Sequence, residues 1–133
     1  MSDSEIENKF YTKAKGKASE ILNNKEKLNH LLRIAKDKLA EVGNTKLVEN
    51  IKVFGRMIRA YSNGSYREIP VKSIVALVAA IIYFAMPLDL IPDFIPVTGF
   101  VDDFAVVMWV YNQLQQEIED YKKWETNLKR SNV

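Results

Sequence analysis

Four aspartates lie close together in the chain and have the residue type and spacing that best fit a chemical role: Asp89, Asp93, Asp102 and Asp103. Asp89 and Asp93 are four positions apart, which places both carboxylates on one side of a helical turn. If the helices on either side are antiparallel, all four carboxylates meet at one end of a hairpin. Carboxylates gathered in this way repel unless a cation, an Arg or backbone N–H groups offset them. Hard cations such as Mg²⁺ or Ca²⁺ take oxygen ligands, so the cluster is a candidate divalent-metal site.

The same aspartates also have a structural explanation, which we favour. Asp is a preferred residue at helix N-termini, and a negative charge there is worth about 0.3–1 kcal/mol against the helix dipole. The spacing matches no EF-hand loop, and no Glu or His lies nearby in the sequence. The capping role is therefore our prediction for Asp89, Asp93, Asp102 and Asp103, and the metal site is the alternative.

The aspartates belong to a connection that is punctuated by Pro87, Pro92, Pro96 and Gly99. Pro87 disfavours helical geometry at Met86, so a preceding helix should end there. The segment predicts a rigid, apolar turn that carries the four carboxylates.

Apolar spacing predicts three amphipathic helices before this turn, each with one stripe that must pack against something. We expect Gly43 and Asn44 to cap the second helix and residues 62–65 to end the third. The three stripes are Ile6, Phe10, Ala14, Ala18 and Ile21, then Leu28, Leu31, Leu32, Ala35, Leu39 and Val42, and then Leu47, Ile51, Phe54, Ile58 and Tyr61.

The next segment has no charged residue from Ser73 to Leu88, and a helix that is apolar all round lies in a bundle core or in lipid. A further helix follows from about Val101. Together these elements predict an all-α, single-domain helical bundle of four to five helices, with the apolar helix at its centre and a Pro/Asp-rich turn at one end. Residues 1–69 supply helices that pack on the core, residues 70–124 form a helical hairpin, and residues 125–133 form a polar tail.

The turn and its flanks resemble the YkvA-like family of small bacterial proteins, whose function is unknown. The resemblance covers about residues 70–110 and implies a helical hairpin with the motif at its tip. It also implies membrane association, on hydropathy alone, and brings no activity or cofactor with it. The residues that carry it are Tyr83, Pro87, Leu88, Asp89, Leu90, Ile91, Pro92, Asp93, Ile95, Pro96, Gly99, Asp102 and Asp103.

Composition argues against an enzyme. The chain has no Cys and a single histidine, His30, which is far from the aspartates in sequence. No Gly-rich phosphate loop, Gly-x-Ser-x-Gly or His-Glu-x-x-His motif is present. We therefore expect no catalytic residue and no bound cofactor.

Charge is divided unevenly between the two halves of the chain. Residues 1–69 carry 14 Lys/Arg and 9 Asp/Glu, and residues 70–133 carry 5 and 8, which gives +5 and −3. The basic residues Arg56, Arg59 and Arg67 lie near Tyr61 and Tyr66, but with balancing acids and no recognisable module this patch is only a weak indication of nucleic-acid binding.

Three functions stay open on these grounds. The favoured one is a non-catalytic interaction or scaffold module whose partner is a protein or the inner membrane surface. The N-terminus lacks the features of a secretory signal, so the expected location is cytoplasmic, with peripheral contact to the membrane. The alternatives are a metal-dependent function centred on the aspartates and an integral membrane hairpin.

Overall fold

The structure is a computed structural model that describes residue 12, residues 15–86 and residues 103–131 of the 133-residue chain. All of its regular secondary structure in these ranges is helical, as predicted. The helices are α1 (residues 15–22), α2 (Lys25–Leu39), α3 (Thr45–Ser62), α4 (Val71–Ala85), α5 (Asp103–Gln113) and α6 (Gln115–Ser131).

Helix α4 is the central element, as predicted for the uncharged segment. It packs against α2, α3 and α5. Because its side chains are apolar on every side, each neighbouring helix can bury its own stripe against it. The α4 residues with less than 2% exposure and large side chains are Ile74, Val75, Leu77, Val78, Ile81, Ile82 and Phe84.

Helices α2 and α3 cover α4 with the stripes that their spacing predicts. Of the first predicted stripe, Ala18 and Ile21 are buried, and Ile6, Phe10 and Ala14 lie outside the described residues. One continuous core runs from Ala18 on α1 to Tyr121 on α6. From α2 it includes Leu28, Leu31 and Ala35; from α3 it includes Leu47, Ile51, Phe54 and Ile58. Tyr61, at the end of the α3 stripe, is only half-buried.

The connection between α2 and α3 differs from the prediction. Helix α2 ends at Leu39, with Ala40 as its C-cap in right-handed geometry, so Gly43 and Asn44 do not cap it. Asn44 instead caps the start of α3, where its side-chain oxygen accepts a hydrogen bond from the Leu47 N–H at 3.0 Å. Asn fits both roles, and the position of the first turn of α3 decides between them.

The predicted turn after α3 is confirmed. Asn63 is the C-cap of α3, and its side-chain oxygen accepts a hydrogen bond from the Ser65 N–H at 2.9 Å. Gly64 has a φ of 84°, a left-handed conformation that side chains with a Cβ rarely adopt.

The last predicted helix is divided in two, which makes six described helices where four to five were expected. The break is a turn at Leu114, whose N–H is shared between the carbonyls of Val110 at 3.0 Å and Tyr111 at 3.2 Å. Val110 before the break, Leu114 at it and Ile118 after it are all buried, so one apolar stripe continues through it. Residues 125–131, within the predicted polar tail, continue α6.

None of the helices in the described ranges combines the length and hydropathy that crossing a bilayer requires.

The central position of α4 predicts a large contrast between two substitutions in that helix. Leu77 is fully buried and Val71 is 59% exposed. We expect Leu77→Ala to lower the free energy of unfolding by about 2–5 kcal/mol, because it leaves a cavity, and Val71→Ala to change it by less than about 0.5 kcal/mol. Urea denaturation followed by circular dichroism measures both. Equal effects would contradict a central α4.

Candidate functional site

The C-terminus of α4 and the N-terminus of α5 border the Pro/Asp segment in the chain. Helix α4 ends at Ala85 with Met86 as its C-cap, which confirms the predicted end before Pro87. The Met86 N–H still donates to the Ile82 carbonyl at 2.7 Å. Helix α5 begins at Asp103. We call the end of the bundle at the C-terminus of α4 the motif end.

Lys38, in the last turn of α2, contacts the C-terminus of α4 at the motif end. Its Nζ donates to the backbone oxygen of Phe84 at 2.5 Å and lies 4.9 Å from the centre of the Phe84 ring. The last carbonyls of a helix have no partner within the helix and carry partial negative charge. A lysine at this position supplies a donor and a positive charge, so Lys38 joins the ends of α2 and α4.

Two further contacts fix which helix ends meet at the motif end. Asn50, in the second turn of α3, is 6% exposed and donates its Nδ2 to the sulfur of Met108 on α5 at 3.1 Å. Arg59, near the other end of α3, donates to the side chain of Asn29 in the first half of α2 at 3.4 Å. Helices α2 and α3 are therefore antiparallel, and the motif end gathers the C-termini of α2 and α4 with the N-terminal half of α3, which contacts α5.

Most of the predicted site residues lie outside the described residues. These are Pro87, Asp89, Pro92, Asp93, Pro96, Gly99 and Asp102. Asp103 is placed as the first residue of α5, but its side chain is not described. Tyr83 is the motif residue whose side chain is described, and it is buried at 7% exposure.

The metal site at the aspartates therefore stays a prediction. In the described part of the chain, no group of three or more His, Cys, Asp or Glu side chains is placed to hold a metal ion. His30, the single histidine, is exposed on α2.

The opposite end of the bundle holds an aromatic cluster made of Tyr66, Tyr121 and Trp124. The ring centres are 5.2 Å apart for Tyr66 and Tyr121, 5.0 Å for Tyr66 and Trp124, and 5.6 Å for Tyr121 and Trp124. The ring planes of Tyr66 and Tyr121 meet at 78°, which is one of the edge-to-face arrangements that aromatic pairs prefer. Through this cluster, Tyr66 in the segment after α3 packs against Tyr121 and Trp124 on α6.

An ion pair lies beside this cluster. Arg56 donates from Nε to Glu125 Oε2 at 2.9 Å and from Nη2 to Oε1 at 3.2 Å, which is the bidentate geometry of the stronger Arg–carboxylate pairs. Tyr121 donates its hydroxyl to the same Oε2 at 3.0 Å. The hydrogen bond to Glu125 raises the pKa of Arg56, while burial and then the bond to Glu125 raise the pKa of Tyr121.

The residues of the basic patch predicted from the sequence make separate contacts with different parts of the bundle. Arg56 is paired with Glu125, Arg59 contacts Asn29, and Arg67 lies over the ring of Tyr61 at 4.9 Å. Tyr66 is buried and belongs to the aromatic cluster. Tyr121 and Trp124 were not among the predicted residues, although their spacing of three positions, following Leu114 and Ile118, continues the apolar stripe onto α6.

The lysine at the motif end should contribute measurably to stability. We expect Lys38→Met, which retains an apolar stem and removes the ammonium, to lower the free energy of unfolding by about 1–3 kcal/mol, because the Phe84 carbonyl loses a charged donor. Lys36→Met, an exposed position in the same turn, is the matched control and should cost less than about 0.5 kcal/mol. Urea denaturation of the two variants tests this, and equal losses would contradict a specific role for Lys38.

The raised pKa of Tyr121 predicts a loss of stability at high pH. Because its pKa is higher in the folded than in the unfolded chain, this stabilisation is complete below the ordinary tyrosine pKa of about 10 and declines as the pH rises above it. We expect the urea midpoint to fall between about pH 9 and about pH 11 and to fall less steeply in Tyr121→Phe. Tyr61→Phe controls for the loss of a phenol hydroxyl. An unchanged slope in Tyr121→Phe would contradict the prediction.

Comparison with known proteins gives a family and one similar protein. The profile of a family described as "Protein of unknown function (DUF1232)" matches residues 73–109, from the first turn of α4 into α5. A protein of Bacillus subtilis (strain 168) named "Uncharacterized membrane protein YkvA" is 42% identical over 79 residues, which cover 59% of this chain and 74% of that protein. No solved structure matches the chain significantly. The chain therefore belongs to the YkvA-like family of proteins of unknown function, as the resemblance indicated.

Proposed function

We propose that this protein is a non-catalytic helical interaction module that associates with the membrane surface through the end of the bundle opposite the motif end. The observation that carries the proposal is the position of two exposed apolar side chains. Val71 is 59% exposed and Leu128 is 47% exposed, and they are the exposed large hydrophobic residues of the described chain. Exposing such large apolar side chains to water is unfavourable, because the hydrophobic effect favours their burial.

The two side chains lie at the same end of the bundle, which we call the α6 end. Leu128 borders a groove together with Asn63 and Ser65, which follow α3 directly. Val71 is the first residue of α4, whose other end is held by Lys38 at the motif end. Leu128 and Val71 can therefore approach one surface together.

Several cations lie close in sequence to these apolar side chains. Arg67 and Lys72 lie close to Val71 in the chain, and Lys129 and Arg130 follow Leu128, while Glu68 is an acid in the same region. Basic residues near an anionic lipid surface contribute about 1 kcal/mol each, and their stems extend along apolar surface while the charge stays in water. Trp124, half-buried beside Leu128, is of the type enriched at membrane interfaces.

Two further points support the proposal. The similar Bacillus subtilis protein is named a membrane protein, and its name states no reaction. The front half of the chain is basic, at +5, which favours approach to an anionic surface.

Vesicle flotation tests the proposal. The full chain should float with vesicles of phosphatidylglycerol and phosphatidylcholine, and should float far less with phosphatidylcholine alone or at high salt, because the cations are then not engaged or are screened. The double variant Val71→Asp with Leu128→Asp should bind at least about tenfold more weakly, since it removes the apolar contact and adds negative charge. Asn112→Asp with Gln115→Asp adds the same charge at exposed positions of α5 and α6 and is the matched control.

Two results would overturn this proposal. Equal binding by both double variants would show that the α6 end does not meet the lipid. Retention of the native protein in the membrane pellet through both high-salt and carbonate washes would favour the integral hairpin instead.

A further inference from the structure

A second surface, separate from the α6 end, is an apolar groove between α2 and α3. It has a volume of about 260 Å³. Leu32 and Leu39 line it from α2, and Ile51 and Gly55 line it from α3. Leu32 and Leu39 are half-buried, so the groove has a recessed apolar floor instead of protruding apolar side chains.

The charged side chains that border this groove are all cations. Lys36 lies on the α2 side, and Lys52, Arg56 and Arg59 lie on the α3 side. Arg56 is neutralised by Glu125. Lys36 and Lys52 form no ion pair with any residue that the structure describes, and Arg59 contacts the neutral side chain of Asn29. The rim therefore presents three positive charges that form no ion pair with a carboxylate in the described part of the chain.

Gly55 keeps the floor of the groove open. A Cβ at this position would lie 3.7 Å from Leu32 Cδ2, which is an ordinary van der Waals distance. The packing of α2 against α3 therefore does not require a glycine. Glycine within a helix is also destabilising relative to alanine, so neither packing nor helix formation accounts for it.

We propose that this groove binds an amphipathic helix of a partner protein, with an apolar stripe on the floor and acidic side chains facing Lys36, Lys52 and Arg59. From Leu32 to Leu39 the floor extends for seven residues of α2, which is roughly two helical turns or about 10 Å. This length fits helix-in-groove recognition, in which anchors repeat at i, i+3 or i+4, and i+7. A flat bilayer cannot reach a recessed floor, so the shape favours a helix over lipid.

The charge complementarity can be tested with two synthetic peptides of about 14 residues that place leucines at i, i+4 and i+7. One carries Glu at the flanking positions and the other carries Lys. In an NMR titration of the isotopically labelled full chain, the Glu peptide should shift the amide signals of Leu32, Gly55 and Arg59 in a saturable way. The Lys peptide should bind at least about tenfold more weakly.

Variants of the groove sharpen this test. Lys36→Glu with Lys52→Glu should reverse the preference, so that the Lys peptide binds better than the Glu peptide. Lys25→Glu with Lys46→Glu makes the same charge change at exposed positions at the starts of α2 and α3 and should leave the preference unchanged. Gly55→Leu should weaken the Glu peptide at least about tenfold by filling the floor, and Gly55→Ala is the milder variant if the larger side chain impairs folding.

Three results would overturn the inference. One is equal binding of the two peptides, and another is the absence of saturable shifts at the groove. The third is a shift of the groove signals by anionic vesicles while the Glu peptide has no effect, which would assign the groove to lipid. Each is independent of vesicle binding at the α6 end, because Val71 and Leu128 do not line this groove.

Discussion

Helix α4 carries apolar side chains around its whole circumference, so it cannot present a face to water without a large loss of hydrophobic free energy. The only way to bury it in a chain of this size is to cover it from several directions, and α2, α3 and α5 do so. Each of those helices has apolar side chains of its own, and the same contact with α4 buries them. The central helix therefore dictates that the polar and charged residues of the other helices face outward.

The backbone N–H groups at the start of α4 and the C=O groups at its end have no partners within the helix. At the N-terminus, Pro70 is the N-cap and no side chain caps the helix; instead the Pro70 carbonyl accepts bonds from the N–H groups of Ser73 and Ile74 at 2.9 and 3.0 Å. At the C-terminus, Lys38 supplies a donor from α2. The Lys38 side chain thus provides a hydrogen-bond donor for the Phe84 carbonyl and fixes the position of α2 relative to α4.

The parts of the fold that follow from local patterns could be predicted from the sequence. The stripes of α2 and α3, the uncharged α4, its end before Pro87 and the turn at Gly64 all reflect spacing or backbone preference over a few residues. Two local features could not be predicted in this way. The turn at Leu114 contains no Gly or Pro that would indicate a turn, and Asn44 suits either a C-cap or an N-cap. The contacts of Arg56 with Glu125 and of Tyr66 with Trp124 join residues 69 and 58 positions apart, which no local pattern can reveal. The motif aspartates were identified by residue type, and that alone does not distinguish a cap from a ligand.

The two proposed surfaces differ in the way they present apolar atoms, and that difference follows from the fold. Val71 and Leu128 are near helix ends, where no further helix in the described chain covers them, so they protrude. Leu32 and Leu39 lie between two helices that stand side by side, and Gly55 leaves their floor without a side chain. Protruding side chains can enter a soft, planar interface, whereas a recessed floor needs a convex partner. Arg56 and Arg59 border both the α2–α3 groove and the groove beside Leu128. Arg59 therefore contributes positive charge near both surfaces, whereas the apolar side chains that distinguish them, Leu32 and Leu39 in one and Leu128 in the other, are separate.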